Sequence, residues 1–203
     1  MYEEIDFKKI IAVSNRHVSR LPYLAQVERI VSFHPRAFLL REKDLPEGAY
    51  LELAGKVQKI CDRNQVPLIL HFYPEAAKQL GLPVVHLPLW KFAEAGEDGS
   101  LKTGVSVHSA EDVRRAEKLG AAYLTAGHIF ATDCKKGLPG RGLPWLEGVV
   151  KAVSIPVYAI GGIGPDNLAA VARTGAAGAC LMSAFMACPD PQTYVEGLRQ
   201  ITD

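Results

Sequence analysis

KIIAVSNRH (9–17) is the stretch on which the fold turns. Its first six residues, KIIAVS (9–14), form the short β-branched run of a buried strand. An open, doubly wound sheet usually carries a glycine-rich turn directly after its first strand, and SNRH (14–17) has no glycine. Working outward, the strand pattern recurs at AFLL (37–40), VPLILHF (66–72), LPVVHL (82–87), GVSVH (104–108), AAYLTAG (121–127), IPVYAIGG (155–162) and AGACLMS (177–183). Helical patterns alternate with these runs. Residues 21–33 place Leu21, Leu24, Val27 and Val31 on one side. Asp44 and Glu47 read as a capping box before a helix with Leu51, Leu53 and Val57, and Ser109 with Asp112 as a second before a helix to Leu119. Residues 74–80 fit a short helix and 191–201 a final one, whereas KFAEAGEDGSLKT (91–103) reads as a polar loop. Eight strands alternating with helices predict an α/β chain: a single-domain (β/α)8 TIM barrel spanning residues 1–203.

Composition narrows the function classes. The chain has 203 residues, 48% hydrophobic and 22% charged, which suits a large core and excludes wholesale disorder. Lysine plus arginine is 23 against 22 for aspartate plus glutamate, a net charge of +1 that lacks the basic excess of a nucleic-acid binder. No apolar run reaches the roughly 18–20 residues that span a bilayer. The opening MYEEIDFKK has no apolar signal core, so a cytoplasmic location is expected. Cys61, Cys134, Cys180 and Cys188 form no CxxC pair, so neither a disulfide framework nor a zinc site is expected.

In a barrel of this kind the active site lies at the C-terminal ends of the strands. That rule selects Asn15, Arg16 and His17; Arg41, Glu42 and Lys43; His71; Ser106 and His108; Gly127 and His128; Gly161 and Gly162; and Met182 and Ser183. Paired glycines let backbone N–H groups approach an anion closely, and a helix start adds oriented donors. Gly162, Met182 and Ser183 are therefore candidate phosphate ligands. The run GHIFATDCKKGLPGRGLPWL (127–146) reads as a long glycine-rich loop whose Lys135, Lys136 and Arg141 could meet an anionic substrate.

At this loop the sequence resembles the thiamine phosphate synthase superfamily, and within it the TenI-type thiazole tautomerases. The superfamily pattern is matched by LREKD (40–44), GVSVHS (104–109), ATDCKKG (131–137), VYAIGGIGPDN (157–167) and LMSAF (181–185). The resemblance implies a (β/α)8 barrel and a thiazole-phosphate site containing Ser106, Thr132, Lys135, Gly162, Met182 and Ser183. It also implies a homodimer. Synthases of this superfamily hold a pyrimidine diphosphate through a glutamine, an Asn-Asp pair and a further aspartate, the aspartates binding magnesium. Here those positions correspond to Leu39, to His71-Phe72, and to the neighbourhood of Lys91. Phenylalanine cannot bind a hard cation and lysine repels one. The synthases typically have proline after the glycine of strand six; here it is His128, as in the tautomerase version of the loop.

The resemblance thus implies an enzyme that isomerises a 2-carboxy-2H-thiazole ethyl phosphate to its aromatic tautomer, without metal or cofactor. Histidine suits a proton shuttle because its ordinary pKa lies near neutrality. His128 is the expected catalytic residue. Arg41, Lys43 and Lys135 are candidates for the ring carboxylate or the phosphate, and Cys134 for a further ligand contact. His71 is expected to line or fill an altered pocket, His86 to be a polar group inside the barrel, and His17 and His34 to be solvated. Two alternatives stand beside this one: a working thiamine phosphate synthase, and a non-catalytic thiazole-phosphate-binding regulatory protein. In each, the partner is a small phosphorylated thiazole, with no nucleic acid or membrane involved.

Overall fold

The computed structural model describes residues 7–95, 99–132, 135 and 137–188. Eight parallel strands close into a barrel: β1 (Ile10–Val13), β2 (Ala37–Leu40), β3 (Leu68–His71), β4 (Val84–Pro88), β5 (Lys102–Val107), β6 (Tyr123–Gly127), β7 (Val157–Ile160) and β8 (Gly178–Leu181). Each pairs with the next, and β1 also pairs with β8 through Ile11 and Cys180. The helices are α1 (Tyr23–Val31), α2 (Glu47–Arg63), α3 (Pro74–Gln79), α4 (Leu89–Ala95), α5 (Ala110–Lys118), α6 (Gly142–Ala152), α7 (Pro165–Ala172) and α8 (Ser183–Met186). The expected (β/α)8 architecture is therefore observed.

Side-chain alternation along each strand divides the core in two. Ile11, Val13, Ala37, Leu39, Ile69, Tyr123, Tyr158 and Cys180 pack inside the barrel. Ile10, Ala12, Phe38, Leu40, Val105, Val107 and Leu124 face outward under the helices, beside Val27, Val57, Val113 and Leu146. Both faces of the sheet are covered, which is why β1, β2 and β3 are buried at every position and read as continuous apolar runs.

Four local expectations are corrected. The segment 91–103 is not all loop. Residues up to Ala95 belong to α4, because Phe92 is buried and supplies a tertiary anchor for a run of Ala, Glu and Lys. The long loop after β6 ends at α6 rather than at residue 146, since Leu146 and Val149 turn one helical face into the core. Asp44 does not cap α2. Pro46 occupies the N-cap, and Asp44 is drawn away to Arg16. The buried face of α1 is Gln26, Val27, Ile30 and Val31, leaving Leu24 at 36% exposure and Leu21 outside the helix. The cap at Ser109 holds: its Oγ accepts from Asp112 N at 3.0 Å. The expected helix over 191–201 lies outside the described residues. No described helix is long and apolar enough to cross a membrane.

Candidate active site at the C-terminal rim

The ends of β1 and β2 are tied by a buried carboxylate. Glu42 accepts from Ser14 Oγ at 2.7 Å, from the Arg16 backbone N–H at 3.1 Å and from Arg16 Nη1 at 3.2 Å. A buried charge persists only when it is paired and hydrogen-bonded, and Glu42 satisfies both conditions. Ser14 Oγ also accepts from Arg41 N at 2.8 Å, which fixes where the Arg41 backbone leaves the sheet. Asp44 pairs with the same Arg16 guanidinium and lies 3.1 Å from His17 Nε2; the arginine bond holds its carboxyl well below the usual carboxylate range. His17 and His34 are exposed, as expected.

Across the rim, the loop after β6 and the turns after β7 and β8 line an open cavity of about 780 Å³. Thr132, Lys135, Gly162 and Ser183 line it together, with Leu138 and Asn167. Lys135 N donates to Thr132 O at 3.0 Å and Leu138 N to Lys135 O at 3.1 Å, so these successive turns shape one wall. The opposite wall is braced by Asn167, which accepts from Gly164 N at 3.0 Å and donates to Gly162 O at 2.9 Å. Met182 is not among the lining residues; it is the N-cap of α8, and its Sδ lies 3.8 Å from Asn15 Nδ2. Cys134 and Lys136 lie outside the described residues. Lys43 is linked to this cavity by charge: desolvation, then Arg41 and Lys135, lower its pKa.

His128 stands directly after β6, and the Gly127–His128 peptide is cis. Ile129 N donates to Ile160 O and Phe130 N to Gly161 O, both at 3.0 Å, so the loop's first residues continue the pairing with β7. Gly161 has φ of 99°, and a Cβ there would overlap the His128 side chain and lie 2.8 Å from His128 Cα. The His128 ring reaches Leu138, with Nε2 3.3 Å from the carbonyl oxygen. A carbonyl only accepts, so Nε2 carries a proton, and in the neutral ring Nδ1 bears the lone pair. Two residues brace this corner that the sequence reading did not assign to it. Arg141 Nε donates to Gly127 O at 3.2 Å, and His108 Nδ1 donates to the same oxygen at 2.9 Å. Their convergence is tertiary; in the sequence His108 stood out only as a strand-end residue and Arg141 only as a loop cation.

Ser106 belongs to a different neighbourhood. His86, fully inside the barrel as expected, places Nε2 2.8 Å from Ser106 Oγ and Nδ1 3.0 Å from Tyr123 Oη. Thr125 Oγ1 completes the cluster at 3.3 Å from Ser106 Oγ. Burial, then the Arg41 charge, push His86 down to about 3, so its ring is neutral at physiological pH. His71 is buried at the end of β3, held by its N–H to Tyr50 Oη at 2.9 Å. Burial, then His86, Arg41, Lys43 and Lys91, bring His71 down to about 2. Next to it, Lys91 Nζ sits 3.8 Å over the Phe72 ring. Thr132, Lys135, Gly162 and Ser183 thus share one cavity, His128 adjoins that cavity through Leu138, and Ser106 lies in the polar cluster of the barrel interior.

Together these features define a class: a (β/α)8 barrel with a polar site on the C-terminal rim, lined by Lys135 and Asp166 among others. The chain belongs to the TMP-TENI family, described as thiamine monophosphate synthase, whose model matches residues 10–185. It is 32% identical to a thiamine-phosphate synthase of Desulfitobacterium hafniense, covering 97% of this chain and 98% of the relative. It is 30% identical to the thiamine-phosphate synthase of Pyrococcus horikoshii, covering 96% and 95%. Among solved structures, a thiamine phosphate pyrophosphorylase from Pyrococcus furiosus superposes with a TM-score of 0.83 at 29% identity, covering 97% and 96%. A 3-hexulose-6-phosphate synthase shares the fold, with a TM-score of 0.70 at 18% identity over 95% and 99% of the two chains.

Proposed function

We propose that the chain is a thiazole tautomerase, acting on a 2-carboxy-2H-thiazole ethyl phosphate by a proton shuttle at His128. The observation that carries this reading is the seat of His128: its Nε2 faces a residue that lines the rim cavity, and its backbone is braced against Gly161. The substrate phosphate enters the cavity of Thr132, Lys135, Gly162 and Ser183. Lys135 supplies charge, and the backbone at Gly162 permits close approach because the residue has no Cβ. Arg41 and Lys43 add positive potential on the β2 side, and Ser106 offers a hydroxyl beneath the ring.

The chemistry follows from the tautomer. With Nε2–H held by Leu138 O, Nδ1 removes the proton from the ring carbon bearing the carboxylate. The C–H electron pair shifts into the ring, and the exocyclic double bond takes up a proton at its outer carbon. The imidazolium returns the same proton there, so atoms and charge balance over the cycle. Aromatisation supplies the driving force. The immature thiazole changes its ultraviolet absorbance on becoming aromatic, and the protein should accelerate that change. An uncatalysed rate in the presence of folded protein that binds the phosphate refutes the reading.

A second reading, thiamine phosphate synthase, is favoured by the names of the relatives. It needs a magnesium diphosphate site, and the donor set here does not fit one. Phe72 and Lys91 offer no oxygen ligand. Glu42 and Asp44 are already engaged by Ser14, Arg16 and His17. Formation of thiamine phosphate from the pyrimidine diphosphate and thiazole phosphate with magnesium would establish this reading instead.

A further inference from the structure

The rim of β3 and β4 holds a cluster that the proton shuttle leaves unused. Phe72 follows β3 with φ of 77°. On its ring face, Lys91 Nζ lies 3.8 Å from the centroid. The His71 ring lies nearly parallel to it, at 6.2 Å and 18°. Trp90 meets it edge-on at 5.9 Å and is 55% exposed. His71 in turn faces His86 at 6.0 Å, and His86 bonds Ser106. A line of rings therefore runs from Ser106 at the end of β5 to Trp90 at the start of α4.

The chemistry of Lys91 points outward from this line. An ammonium over a phenyl face is attracted by the ring quadrupole, but the ring does not neutralise its charge. Among the described residues no carboxylate pairs with Lys91. Its side chain is half-buried, so less of the ordering cost remains when an anion arrives. Burial, then His86, depress His71, and Arg41, Lys43 and Lys91 add to the shift, so cationic charge surrounds the cluster. Lys43 lies between the two regions: it acts on His71 here, and desolvation, then Arg41 and Lys135, lower its own pKa.

We propose that this cluster reads the ring carboxylate of the substrate: Lys91 receives it and Phe72 and Trp90 border the heterocycle. The site then selects a carboxylated thiazole phosphate over the same phosphate without its carboxylate. This inference rests on the thiazole reading above and names the group that sets its specificity.

Calorimetric titration with two probes tests it: the aromatic 2-carboxythiazole ethyl phosphate, and the thiazole ethyl phosphate lacking the carboxylate. The wild-type protein should prefer the first by roughly tenfold, the scale of a charge-assisted contact. Lys91→Met keeps the length and removes the charge; it should abolish the preference while affinity for the second probe stays within about twofold. Lys91→Arg should retain the preference. A preference that survives Lys91→Met overturns the assignment, because another cation then reads the carboxylate. Equal wild-type affinity for both probes also overturns it while leaving the thiazole reading standing. Failure of the wild-type protein to bind either probe brings down both.

Discussion

His128 has its protonated nitrogen turned to Leu138 O, so the ring is presented with one nitrogen fixed as donor and the other as base. Replacement by alanine removes the base and leaves Thr132, Lys135, Gly162 and Ser183 in place. Turnover should fall by about 10²–10⁴-fold with little change in the dissociation constant of the aromatic product. Single-turnover absorbance and product titration separate the two quantities, and an unaltered rate constant would dismiss the imidazole as the shuttle. His128 was legible in the sequence because a strand-end position and a family pattern both selected it. The shared role of Arg141 and His108, both singled out as rim or loop residues, was not. Each donates to Gly127 O from a different part of the chain, and no local spacing encodes that meeting. Ser106 was legible as a polar strand-end residue, but its partnership with His86 depends on the register of β4 against β5.

Among the elements, the junction of β6 and β7 carries the most consequence. Gly161 allows the turn after β7 to lie against His128. Gly161→Ala places a side chain at φ of 99° and against the His128 side chain at once. It should destabilise the fold by about 1–3 kcal/mol and displace the imidazole, lowering turnover more than product affinity. Urea melts with parallel kinetics test both parts; wild-type rate and stability together would show that the contact is slack. The strands were readable because most are short apolar runs, β1, β2 and β3 being covered on both faces. The loops were less so. Polarity hid α4, whose single buried aromatic, Phe92, is what commits it, and glycines hid the start of α6. Asp44 misled for a related reason: a capping residue and an ion-pair residue look alike until Arg16 is brought beside it.

On the scale of the whole molecule, His71 and His86 are both interior and both depressed, to about 2 and about 3. A histidine whose folded pKa lies below its unfolded value leaves the unfolded chain holding more protons through that window. Stability is therefore full above roughly pH 6.5 and falls as pH drops toward the folded values. Between about pH 7 and pH 5.5 the loss should be near 1 kcal/mol per histidine. Denaturant midpoints at the two pH values, compared with His86→Gln, check the sign; a flat profile would mean that these rings are not buried neutral. The barrel itself was legible from eight recurring strands and a first turn without glycine. Of its inner polar cluster only His86 was expected inside; its partnership with Tyr123, Ser106 and Thr125 was not legible, because strand register is decided only on closure.

That closure has a cost during biosynthesis. Ile10–Val13 finds its second neighbour only in Gly178–Leu181, more than 160 positions later. On the ribosome the first strand must wait, one side bare, until Gly178–Leu181 has emerged. Protection of that bare side in the interval belongs to chaperones or to transient non-native pairing, and partial translation products should be the species most apt to clump.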